Sequence, residues 1–144
     1  MKDTLVSGLK HTFKFQVPES KTVPALYPES DEFQKMPNVL ATGFMVGLIE
    51  WTCILAVNPY LDWPDEQTVG THINVNHIAP TPPGLTVEVT VELREINGRK
   101  LLFAIEAKDD IELISQGTHE RFVIYPEKFN RKIQEKALAF HERK

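Results

Sequence analysis

The sequence predicts an α+β domain in which an antiparallel sheet wraps around one apolar helix. Three features predict it. The run from Val39 to Val57 is apolar almost throughout and holds a single charge, Glu50. Four stretches of alternating apolar and polar residues follow, the pattern of strands with one buried face. Two of these stretches meet at Asn97-Gly98, a strong two-residue hairpin signal. So apolar a helix needs cover on every side, and a one-faced sheet needs that face filled; wrapping one around the other satisfies both.

Taken in order, Phe13, Phe15 and Val17 alternate with Lys14 and Gln16 and predict a first strand. Pro18, Pro24 and Pro28 make residues 18–30 a loop. Ser30 followed by Asp31 and Glu32 predicts a short capped helix that Pro37 ends. The central helix has Thr42 as its expected N-cap and stops at Asn58-Pro59. Its apolar residues fill nearly every side of the cylinder, as in a fully buried helix. The later strands are expected over 71–78, 85–96, 100–108 and 111–125, with a turn at Asp109-Asp110. Phe129, Ile133, Ala137 and Phe140 then recur at helical spacing in a terminal helix begun by Pro126.

The 144 residues form one domain, 1–144, with 42% hydrophobic and 25% charged residues, a soluble globular profile. A net charge of −4 argues against nucleic-acid binding. The central run is about long enough to cross a bilayer at ~20 residues. However, Glu50 at its middle and the absence of a flanking basic cluster favour a core helix over a membrane span. The one cysteine, Cys53, excludes an intrachain disulfide, and Met1 opens no signal-peptide pattern; both point to the cytoplasm. No Gly-rich phosphate loop, G-x-S-x-G elbow or metal-ligand spacing is present.

Glu50 is the only charge between Lys35 and Asp62. Desolvating an unpaired carboxylate costs several kcal/mol, so it is paired with an Arg, protonated or kept for function. Burial is expected to raise its pKa toward neutrality, which suits a base or a nucleophile. His77 ends the 71–78 strand on the face of Thr71, Ile73 and Val75, while His72 points the other way. A lone strand histidine is ordinarily structural; beside Glu50 it would move protons. Thr42 reads first as a cap, and second as a hydroxyl among free backbone N–H groups that polarise a carbonyl. His119-Glu120-Arg121 cannot chelate together, since adjacent strand residues face opposite sides. Arg121 alone is a candidate contact for an anionic ligand. Cys53 reads as an inert core residue.

Longer strings carry a resemblance. KTVPALYPES (21–30), ATGFMVGLIEW (41–51), TPPGLTV (81–87), GTHERFVI (117–124) and EKFN (127–130) closely resemble the fluoroacetyl-CoA thioesterase family of hotdog-fold enzymes. The resemblance spans nearly the whole chain. It implies a homodimer that hydrolyses an acyl-CoA, with no metal and no cofactor, coenzyme A being part of the substrate. It implies a catalytic set of Thr42, Glu50 and His77. It also implies a substrate contact from the Gly70 backbone and places Arg121 near the site. The family carries two phenylalanines on a lid over the acyl group; this chain has Phe33 and Met36 there. Residues 62–69 run one residue longer, and His72 and Asn76 differ from the family. A lid with the more adaptable Met is expected to accept other small acyl groups. Dehydration of a hydroxyacyl thioester and non-catalytic acyl-CoA binding are the alternatives that the same fold allows.

Helix geometry adds one expectation. Thr42 and Glu50 lie eight residues apart, a rise of ~12 Å on one helix. Groups that act on one thioester carbon must approach it to about 3 Å. A site using both residues therefore takes one of them from a second subunit.

Overall fold

The computed structural model describes residues 1–143. Strand β1 (Lys10–Gln16) precedes two short helices, α1 (Val23–Leu26) and α2 (Asp31–Gln34), and the central helix α3 (Thr42–Val57). Strands β2 (Gln67–Val75), β3 (Thr86–Asn97), β4 (Lys100–Lys108) and β5 (Leu113–Ile124) follow, and α4 (Pro126–Glu142) ends the chain. The strands form one antiparallel sheet in the order β1-β3-β4-β5-β2. This is the predicted α+β architecture.

Alternation decides which face is core. Val87, Val89, Val91 and Leu93 of β3 and Leu101, Phe103, Ile105 and Ala107 of β4 are buried. They pack on Met45, Leu48, Ile49, Cys53, Ala56 and Val57 of α3. Each large side chain so removed from water contributes about 1.5–3 kcal/mol. Residues 42–60 are long and apolar enough to cross a membrane, but α3 lies within this core. Burial pushes the Cys53 thiol up to about 12, so it is an inert part of the packing.

Five expectations change. Residues 18–30 are not a plain loop: they hold a 3-10 turn at Glu19–Lys21 and α1, whose first turn accommodates Pro24 because a donor at that position would have no helical acceptor, so the missing N–H costs nothing. Ala41, not Thr42, is the N-cap of α3, and Thr42 is its first residue. The helix is not covered all round, since Gly43, Gly47 and Trp51 are exposed. β2 begins at Gln67, where the sequence shows no alternation, and ends at Val75, so His77 lies beyond the strand. The β3–β4 loop is Gly98-Arg99, closed by the Asn97–Lys100 pair, with Gly98 at φ 64°. Ser30 does cap α2, accepting the Phe33 N–H at 3.1 Å.

Two features of β2 matter for function. It is an edge strand, and residues 70–74 are exposed. Its register also shifts between Gly70 and His72, leaving Thr71 as a bulge. Gly70 then pairs with Arg121 and Ile73 with His119, so residues of odd separation share one face.

Candidate active site

Two polar clusters flank α3. At its start, the Thr42 Oγ1 lies 2.8 Å from His77 Nδ1. The helix dictates part of this geometry: the Met45 N–H bonds to Ala41 O, while the N–H groups of the first turn have no intrahelical acceptor. The segment after β2 holds His77 in place. Asn76 accepts the Gln116 N–H through Oδ1 and the Ser115 hydroxyl through its carbonyl, and the Ile78 N–H bonds to Ile114 O. Burial lowers the His77 pKa, which keeps the ring neutral near pH 7. Its Nε2 is buried and has no partner among the described residues. A cavity of about 280 Å³ opens here, lined by Val23, Leu40, Thr42, His77 and Pro80 among others.

The second cluster lies two helical turns on. Glu50 Oε1 accepts from Arg121 Nη1 at 3.0 Å. The Arg121 side chain is 4% exposed and the Glu50 side chain 39%. Glu50 is thus neither unpaired nor fully desolvated, against the expectation of a buried, isolated carboxylate. Arg121 also donates from Nε to Thr68 Oγ1 and from Nη2 to the Thr68 carbonyl, both at 2.8 Å. Buried and bonded in this way, the guanidinium faces Glu50 rather than solvent.

Gly70 completes this cluster by having no side chain. A Cβ there would stand 2.5 Å from Glu50 Oε1 and 3.2 Å from His119 Cε1. Glu50, Gly70, Ile73 and His119 line an open cavity of about 430 Å³. The fold therefore joins Thr42 to His77, and Glu50 to Arg121 and Gly70, at separate places on one chain.

The remaining predicted residues lie elsewhere. Phe33 packs on Tyr27, with ring centroids 5.9 Å apart, and Met36 is 46% exposed. Neither lines the cavity beside Thr42 nor the one beside Glu50. Among the described residues no three His, Cys, Asp or Glu groups are placed to hold a metal ion. His119, set aside above as part of a chelating run, is buried against Arg121. Its signal was the two-residue spacing from Arg121, which puts both side chains on one face of β5.

Comparison with known proteins gives the family. Residues 17–127 match the profile of the fluoroacetyl-CoA-specific thioesterases (FlK). The chain is 54% identical over 139 residues to the fluoroacetyl-CoA thioesterase of Streptantibioticus cattleyicolor, covering 96% of this chain and 99% of that one. A crystal structure of the fluoroacetyl-CoA thioesterase FlK superposes with a TM-score of 0.90 at 54% identity, covering 93% of this chain and 98% of that one. Other structures of that enzyme contain fluoroacetate and CoA, or acetyl-CoA. A hot-dog-like protein from Thermanaerovibrio acidaminovorans shares the fold, with a TM-score of 0.75 at 19% identity over 90% of this chain and 91% of that one. The chain belongs to the fluoroacetyl-CoA-specific thioesterase family.

Proposed function

We propose that this protein hydrolyses fluoroacetyl-CoA, or a similarly small acyl-CoA, to the carboxylate and free coenzyme A in the cytoplasm, at a site shared between two subunits. The observation that carries this reading is the separation of its two clusters. Thr42 and His77 form one and Glu50 the other, with an eight-residue helical rise of ~12 Å between Thr42 and Glu50. The buried Nε2 of His77, without a partner among the described residues, fits a site that a second subunit or the substrate completes.

A homodimer has a ready surface. β2 is an exposed edge strand beside Gly70, and an edge strand is a template for pairing with another chain. Two-fold pairing of β2 with its copy would bring each Glu50 cluster toward the partner and cover apolar surface left open on α3.

In this site the thioester carbonyl lies at the start of α3, where the Thr42 hydroxyl and the free N–H groups of the first turn stabilise the developing oxyanion. Glu50 supplies the second element. It activates water, or it attacks the carbonyl carbon and is later released by water. By the first course the water oxygen bonds to the carbonyl carbon as the C–S bond breaks; by the second a Glu50 oxygen bonds there as C–S breaks, and that C–O bond is then exchanged for one to water. Over either full cycle one proton of water is released with the carboxylate and the other is gained by the sulfur of coenzyme A. His77, neutral at working pH, moves that proton. Arg121 holds the Glu50 carboxylate, and Gly70 leaves it room. Phe33 and Met36, on and just after α2, form the lid that sets acyl preference.

The test is release of free thiol from acetyl-, fluoroacetyl-, propionyl- and longer acyl-CoAs. Turnover confined to the small acyl groups is expected, and absent from Glu50→Gln. Tight binding without thiol release would overturn the reading in favour of a sequestering module.

A further inference from the structure

We infer that His119 is a positioning residue for this hydrolysis, acting as a neutral Nδ1–H imidazole that orients Arg121 and, through it, Glu50; the inference rests on the proposed role of Glu50. The protonation state follows from the partners. His119 Nδ1 lies 2.7 Å from the His72 carbonyl oxygen, which can only accept, so Nδ1 carries a hydrogen. His119 Nε2 lies 3.1 Å from Arg121 Nη1, which can only donate, so Nε2 carries none. One tautomer satisfies both contacts. Burial also lowers the His119 pKa, although the His72 carbonyl opposes that shift.

The consequence lies at Nη1. That nitrogen has two hydrogens, and its two acceptors are His119 Nε2 and Glu50 Oε1. Nε and Nη2 are tied to Thr68, so all three guanidinium nitrogens are anchored and the group has one orientation. The chain of contacts runs from the His72 carbonyl on β2, through His119 and Arg121 on β5, to Glu50 on α3. It therefore links the edge strand to the carboxylate.

A second proton on His119 would replace the acceptor with a donor facing a cation. The other charged groups acting on the ring are Glu50 from α3 and Glu120 on its own strand, which pairs outward with Lys100. None of them bonds to Nε2 in place of Arg121 among the described residues.

The inference is tested with two replacements and one spectrum. Gln can place an oxygen acceptor where Nε2 stands, whereas Leu fills the space and accepts nothing. His119→Leu is expected to lower kcat by about 10- to 100-fold, as a small displacement of a reacting group does, with KM within about twofold. His119→Gln is expected to recover most of that loss, and to keep the Arg121 Nε–H signal protected from exchange where His119→Leu exposes it. In the unmodified enzyme, two-bond 1H–15N correlation should show His119 protonated at Nδ1 alone across the active pH range; this reading does not depend on either variant folding. If Glu50→Gln is inactive but folded His119→Leu keeps its kcat, or if His119 proves protonated at Nε2, the positioning role is overturned while the proposed function stands. If Glu50→Gln still turns over, the proposed function falls, and the inference with it.

Discussion

The Thr42 hydroxyl and the His77 ring meet at 2.8 Å across 35 residues of sequence, one at the start of the central helix and the other just past the end of an edge strand. The contact replaces the local cap that Thr42 was expected to form. Its loss should therefore be felt in turnover more than in folding. Thr42→Val, which keeps the shape and removes the hydroxyl, should reduce kcat by about 100-fold, within the range of a lost proton-handling group. Stability should change by about 1 kcal/mol, the usual net value of one hydrogen bond. Thr42→Ser should stay active. Equal loss in the Ser and Val variants, by steady-state kinetics, would argue against a role for the hydroxyl.

Gly70 offers a separate probe of the second cluster. An alanine Cβ would press on the tip of the Glu50 carboxylate, which is flexible enough to move away. Gly70→Ala should thus fold with little change in Tm while kcat falls by at least about tenfold, because a displaced carboxylate no longer meets the thioester. A variant with normal kcat would show that Glu50 need not occupy its observed position.

These two residues also mark what could be read in advance. The sheet and its buried helix were legible because alternation and all-round apolarity follow from burial itself. Thr42 and Glu50 were legible by type: one lies at a helix start, the other is a lone charge in an apolar run. Their partners were not. Arg121 reaches Glu50 through tertiary packing, and the bulge at Thr71 breaks the parity on which face assignments in β2 relied. The role of His119 was hidden because strand parity puts His119 and Arg121 on one face without showing that the two touch. The open side of α3 was not legible, since a single sequence shows which residues want cover and not what provides it.

Acidity should weaken the fold in a defined window. Burial lowers the pKa of both His77 and His119 below the ordinary 6.5. Above 6.5 these rings are neutral in the folded and unfolded chain alike, and they contribute no pH dependence. Below it the unfolded chain takes up protons that the folded chain does not, so stability declines until the lowered folded values are reached. Glu66 and Asp109, whose pKa values are lowered from 4.5 and 3.8, lose their stabilising effect only at more acid pH. Tm measured between about pH 8 and pH 5 should be level at first and then fall, with a smaller fall in His119→Gln. A Tm that rises with acidity over that range would contradict the assigned neutral rings.

Acyl preference should follow the lid. Met36 is exposed at the end of the α2 segment, where its replacement disturbs little packing. Met36→Phe should leave Tm nearly unchanged and shift the ratio of kcat/KM for fluoroacetyl-CoA over acetyl-CoA by more than about threefold, the effect of ~0.7 kcal/mol. An unchanged ratio would remove Met36 from the acyl pocket.

The shared site can be tested by subunit complementation. Thr42→Ala and Glu50→Gln chains, each inactive alone, are mixed under conditions where subunit exchange is verified by mass, and thiol release is followed. If one site takes Thr42 and His77 from one subunit and Glu50 from the other, each mixed dimer contains one intact site of two, and activity returns as heterodimer forms. If each chain builds its own site, both sites in the mixed dimer are defective. Restored turnover is the predicted result; proven exchange with no restored turnover would contradict the account.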